Sequence, residues 1–233
     1  MLKCDTLVLV PGLLCNHHMW ERQYEALKDH MQVVIANVRK DTSVKDMATR
    51  VLDTVTGNFA IAGLSMGGYV TLEVLAQGAD RVSHFALMDT NAYADQKDAT
   101  EKRKQAIALA EQDKFDQVLG ALLPSILGER AIADTEILDT MKLMASDTGI
   151  TGFIRQQKAI MARADHRENL KNYTQPSLIL CGKEDVLTPP HVHYEMVEQL
   201  PNSDFQLLGD CGHMAPMERP NAVLSALINL MHR

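Results

Sequence analysis

A serine, an aspartate and a histidine, Ser65, Asp185 and His213, occur in that order, each just beyond a short apolar run. A hydroxyl is a weak nucleophile at neutral pH. An imidazole that takes its proton, itself oriented and charge-stabilised by a carboxylate, makes it able to attack an acyl carbon. Ser65 lies in Gly63-Leu64-Ser65-Met66-Gly67, between an apolar run over 59–64 and a stretch from Tyr69 with helical apolar spacing. Gly and Ser are ordinary turn residues, so the five-residue pattern alone is weak; its strand-turn-helix setting makes it specific. So sharp a turn drives the serine toward positive φ and crowds its neighbours, and the two glycines answer that steric demand.

His213 follows the last apolar run in Leu208-Gly209-Asp210-Cys211-Gly212-His213-Met214. It is favoured as the base over His17 and His18, which precede Ser65, and over His191 and His193, at a helix start, because it lies just after the last strand in the order Ser, acid, His. Asp185 is the favoured acid by its place after a strand. Glu184, Asp210 and above all Asp89, at the end of another strand, are the competitors. A developing oxyanion needs two backbone N–H groups, one from the residue after the nucleophile. Met66 supplies that one, and Leu13, in Pro11-Gly12-Leu13-Leu14 after the first strand, supplies the second. Leu14, Met141, Met144, Met161 and Met214 are candidates to line a substrate pocket, although core filling suits the methionines at least as well.

These groups must be held by strand ends. Apolar runs at 6–10, 32–36, 59–64, 84–89, 177–182 and 204–208 alternate with helical patterns at 21–28, 44–55, 191–200 and 221–232. Strand alternating with helix implies six parallel strands covered on both faces. Between 91 and 172 the rhythm changes to helical spacing at 100–112, 115–123, 136–145 and 152–162, broken by Pro124, Gly128 and Gly149. The expected organisation is therefore a core of residues 1–90 and 173–233 with a helical cap, 91–172, inserted in it. Arg163, Asp165 and Arg167 read as a salt-bridged hinge where the insertion rejoins the core.

Four blocks resemble the motifs of the α/β-hydrolase superfamily, in its small cap-bearing esterase, lactonase and haloperoxidase-like members. They are Val10-Pro11-Gly12-Leu13-Leu14, Gly63-Leu64-Ser65-Met66-Gly67-Gly68, Gly182-Lys183-Glu184-Asp185-Val186-Leu187-Thr188-Pro189 and the run from Cys211 through His213 to Pro220. The resemblance implies a three-layer α/β-hydrolase sheet with Ser65 as nucleophile, Asp185 as acid and His213 as base. Two departures stand out. Many relatives carry His-Gly where this chain has Pro11-Gly12, so polar support for the oxyanion loop must come from elsewhere. The chain also opens at what would be the family's third strand, without the usual N-terminal hairpin.

A net charge of −7 without a Lys/Arg cluster argues against a nucleic-acid partner, and no apolar stretch approaches membrane-spanning length. The first residues lack signal-peptide character, and four scattered cysteines suggest neither zinc nor a disulfide framework, so the expectation is a cytoplasmic protein with free thiols. The expected activity is hydrolysis of a small carboxylic ester through an acyl-enzyme, by a monomer or homodimer, with no cofactor and no metal. A lactonase, a C–C bond hydrolase or a cofactor-free perhydrolase would use the same residues. A slow-turnover ligand receptor is the reading from another class, and it would stall after one equivalent of a chromogenic ester.

Overall fold

The computed structural model describes residues 4–233; the expectation about the first three residues lies outside them. Six strands form one parallel sheet among the described residues: β1 (Thr6–Val10), β2 (Gln32–Ile35), β3 (Phe59–Leu64), β4 (Val82–Met88), β5 (Ser177–Gly182) and β6 (Ser203–Leu208). Their spatial order is β2-β1-β3-β4-β5-β6. Successive side chains of a strand point to opposite faces, so runs with no polar alternation need cover on both sides. On one face Leu7, Leu9, Ala60, Ala62, Leu178 and Leu180 pack with α1 (Glu21–Leu27) and α8 (Pro220–His232). On the other, Val8, Val10, Phe59, Ile61, Phe85 and Ile179 pack with α2 (Val44–Thr54), α3 (Met66–Gly78) and α7 (Pro190–Gln199).

After β2 the chain crosses to the far side of β1, so the strand order reverses between β1 and β3. The crevice outside the carboxyl ends at such a reversal is where open α/β sheets bind ligands. The loop after β1 and the turn after β3 meet there: a Cβ placed on Gly12 would lie 3.6 Å from Ser65 Cβ.

Between β4 and β5 the chain is helical, with α4 (Lys97–Ala110), α5 (Phe115–Ile126) and α6 (Thr135–Met161). Two boundaries differ from those expected. Pro124 lies inside α5, because in the last turn its missing N–H leaves only the Gly120 carbonyl without a donor. The helices expected at 136–145 and 152–162 extend toward each other as far as Gly149, whose φ of 65° and ψ of 172° lie outside the helical region and break α6 into two helices there, as expected. The segment's two ends are fastened together. His166 N donates to Ala92 O at 2.8 Å, and the buried Arg163 reaches Asp95 at 2.6 Å and Tyr93 O at 2.8 Å. Burial alone would raise the Asp95 pKa, but Arg103 and Arg163 outweigh it and lower it. Asp165 and Arg167 pair with each other at 2.7 Å. No helix among the described residues is long and apolar enough to cross a membrane.

Candidate active site

Ser65 adopts φ 55°, ψ −114°, between β3 and the first residue of α3. A non-glycine residue there stores on the order of 1–3 kcal/mol of strain, so its surroundings must fix it. They do: Ser65 N donates to Met88 O at 3.0 Å, and Ser65 O accepts from Gly68 N and from the Thr90 hydroxyl at 2.8 Å. The flanking glycines have no substitute. A Cβ on Gly63 would lie 2.1 Å from Gly67 O, and one on Gly67 would lie 2.2 Å from Val10 O. Met66 N, at the start of α3, has no acceptor within the helix and lies at the positive end of its dipole.

Asp185 and His213 follow β5 and β6, and both are nearly solvent-free. The His213 Nδ1–H donates to Asp185 Oδ2 at 2.8 Å. Three further donors hold the carboxylate: Leu187 N (2.9 Å) and Thr188 N (3.0 Å) reach Oδ1, and the Thr188 hydroxyl reaches Oδ2 at 2.7 Å. Burial would raise the Asp185 pKa; the charge and hydrogen bond of His213, with the Thr188 donors, outweigh it and hold the pKa down. The backbone around His213 is fastened too. His213 N donates to Ile126 O at 3.0 Å, and the Glu218 carboxylate accepts from Gly128, Gly212 and Met214 N–H groups at 2.9–3.0 Å. Among the described residues no hydrogen bond joins Ser65 Oγ to His213, and both residues follow strand ends on one edge of the sheet.

Among the described residues none of the competing acids hydrogen-bonds to His213, although Asp89 lies close to Asp185. Asp89 is fully buried at φ 45°, with Oδ1 accepting from Gly182 N at 2.8 Å and Oδ2 without a partner. Burial, reinforced by the Asp185 charge, raises its pKa well above the usual carboxylate range. Glu184 accepts from Glu129 N at 2.8 Å, and Asp210 lies 3.8 Å from Arg219. His193 is buried and neutral: its Nε2 accepts from Thr90 N at 3.0 Å, and burial pushes its pKa down to about 4. Asp89, Cys181 and Asp185 are the one set of three possible metal ligands among the described residues. Both Asp185 oxygens are already engaged and burial raises the Cys181 thiol, so the set fits a packed core better than a metal. Burial also raises Cys15, to about 12, and Cys211, and all four thiols are free and buried.

Leu13 is half-buried and Leu14 is buried, and the Leu14 side chain packs with Ala110, Val118, Ala145 and Phe153 of the helical segment. Met141, Met144 and Met214 are buried in one cluster with Ile126 and Leu127, while Met161 is half-buried at the end of α6. Sequence reasoning passed over Thr188, Thr90, Glu218 and Gln156. Thr188 lies three residues after Asp185, the spacing at which a hydroxyl folds back on a carboxylate, and that was a usable signal. Nothing local marks Thr90 or Gln156, because their partners lie 25 and 142 residues away.

The sequence model of the alpha/beta hydrolase fold family matches residues 41–220, more than three-quarters of the chain. The chain is similar to a thermophilic esterase from Thermogutta terrifontis, solved with malate bound (26% identity, TM-score 0.88, 97% of this chain and 89% of that one). It is similar in fold to the enol-lactonase from Burkholderia xenovorans LB400 (22% identity, TM-score 0.89, 99% and 92% covered). Among curated proteins, the pimeloyl-(acyl-carrier protein) methyl ester esterase of Nitrosospira multiformis is 22% identical over 261 residues, covering 95% of this chain and 92% of its own.

Proposed function

The chain belongs to the alpha/beta hydrolase fold family, and from that premise we propose that it hydrolyses a small carboxylic ester through an acyl-enzyme on Ser65. The observation that carries the reading is the buried Asp185–His213 pair, 2.8 Å apart, at the sheet edge where Ser65 is held at φ 55°. An imidazole whose Nδ1–H is committed to a carboxylate presents Nε2 as the acceptor, which is the tautomer a general base needs.

In this reading Nε2 of His213 takes the Ser65 proton as Oγ attacks the ester carbonyl. The Leu13 and Met66 N–H groups receive the oxyanion. His213 then protonates the departing alkoxide, and water, deprotonated by the same nitrogen, releases the acid and restores Ser65. The Ser65–His213 hydrogen bond is formed with substrate present, since such bonds are commonly long in the free enzyme. The helical segment from 91 to 172 acts as a cap, and the contact of Leu14 with its side chains supports that role. Four free, buried thiols support a reducing, cytoplasmic location.

The similarity extends to esterases and to an enol-lactonase alike, so turnover decides between an open-chain ester and the lactone, C–C bond and perhydrolase chemistries that the same residues could perform. A panel of p-nitrophenyl esters of increasing acyl length, run beside simple lactones, tests this. Sustained turnover of the shortest esters is expected; turnover of lactones alone would reassign the substrate class.

A further inference from the structure

The loop that presents Leu13 is closed by Cys15, whose N–H donates to Gly12 O at 3.2 Å and whose thiol donates to Leu13 O at 3.3 Å, and no polar side chain from Pro11 to Leu14 supports it. Pro11 offers neither an N–H nor a polar side chain, and Leu14 stands at φ 62°, a left-handed conformation costing an ordinary residue roughly 1–2 kcal/mol. The one side chain that holds Leu14 N–H comes from 142 residues away. Leu14 N donates to Gln156 Oε1 at 3.0 Å, and Gln156 Nε2 donates to Val38 O at 3.3 Å. Gln156 is fully buried, and its amide joins the loop after β1 to the loop after β2. The same stretch of α6 makes parallel ties: Asp147 accepts from Asn16 Nδ2 at 2.8 Å, and Arg155 donates to Lys40 O at 2.8 Å. The kink at Gly149 separates the helix that delivers Asp147 from the helix that delivers Gln156 to these loops.

We infer that Gln156 is a positioning residue for the oxyanion-binding turn: it locks Leu14 in the left-handed region and so aims the Leu13 N–H at the Ser65 acyl centre. This rests on the ester-hydrolase reading above. Without the acceptor, Leu14 N–H would be a buried, unpaired donor, and the strained turn would relax. Substrate binding is untouched, because Gln156 contacts the turn and not the acyl chain. The loss therefore falls on the step that develops the oxyanion.

Three proteins test it: wild type, Gln156→Leu, which has no acceptor, and Gln156→Glu, which keeps one. Amide hydrogen exchange reads the lock whatever the enzyme hydrolyses. In wild type Leu14 should exchange at least about tenfold more slowly than Leu13; Gln156→Leu should remove that protection and Gln156→Glu should keep it. On p-nitrophenyl acetate, Gln156→Leu should lower kcat by about 10- to 100-fold with KM within about twofold, and Gln156→Glu should recover most of that loss. Equal exchange at Leu13 and Leu14 in wild type overturns the lock even if Gln156→Leu does not fold. Lost protection with unchanged kcat overturns the link to the oxyanion. Should wild type turn over no ester, the ester reading fails while the exchange data still decide the lock.

Discussion

Asp89 and Asp185 are the same side chain in two settings. Asp185 receives four hydrogen bonds, one from His213, whereas Asp89 receives one at Oδ1 and leaves Oδ2 unpaired in a fully buried place. Only Asp185 is therefore equipped to carry a charge and orient an imidazole. Asp185→Asn should lower kcat on the order of 10⁴-fold by favouring the wrong tautomer, whereas Asp89→Asn should leave it within about threefold. Steady-state kinetics on one ester ranks the two, and the reverse order would move the acid to Asp89. Stability adds a second reading. A carboxyl whose folded pKa is raised contributes stability below its unfolded pKa and loses it as pH rises through the folded value. At neutral pH Asp89→Asn should thus hold or raise the melting temperature. Thr188→Val, which removes the 2.7 Å donor to Asp185, should cost roughly tenfold in kcat, consistent with one charge-assisted hydrogen bond.

At the level of elements, the prediction concerns the helical segment. If it sets substrate size, Met141→Ala, Met144→Ala and Met161→Ala should shift the preferred acyl length while changing the rate on the smallest ester little. Met144 is fully buried with Met214 and Leu127, so its change carries a stability loss of about 2–5 kcal/mol that the half-buried Met161 escapes. An unchanged chain-length profile in all three would make these methionines core residues only. The strands, the elbow and the placing of Asp185 and His213 were legible because each depends on local pattern: an apolar run, a turn residue, the next helix. The break at Gly149 was legible, because glycine takes the positive φ found there; how far the two helices extend toward it was not, because that depends on the ties they make to two distant loops. The support of the Leu13–Leu14 turn was equally hidden, since the absence of a histidine beside Gly12 marked the need but not Gln156 as the answer.

For the whole molecule, the acid side of the stability profile carries a defined sign. Burial holds His193 near a pKa of about 4, below its ordinary value of 6.5, so the unfolded chain takes up this proton first. Its contribution is complete above about pH 6.5 and is lost as pH falls toward about 4, on the order of 3 kcal/mol in all. Urea unfolding across that window should show the loss in wild type and a flatter profile in His193→Gln, whose amide oxygen can still accept from Thr90 N. Equal slopes would place the acid sensitivity elsewhere. The fold brings Ser65, Asp185 and His213 to one edge of a single sheet, and the proposed function requires a covalent acyl intermediate at Ser65. Acid-quenching the enzyme during turnover of p-nitrophenyl acetate and mapping the peptides by mass spectrometry tests that most directly. One acetyl group on the peptide carrying Ser65, absent in Ser65→Ala together with a fall in kcat of about 10⁴- to 10⁶-fold, is the predicted result. Steady turnover with no acyl group on that peptide, or a Ser65→Ala enzyme retaining more than about a tenth of the activity, would contradict it.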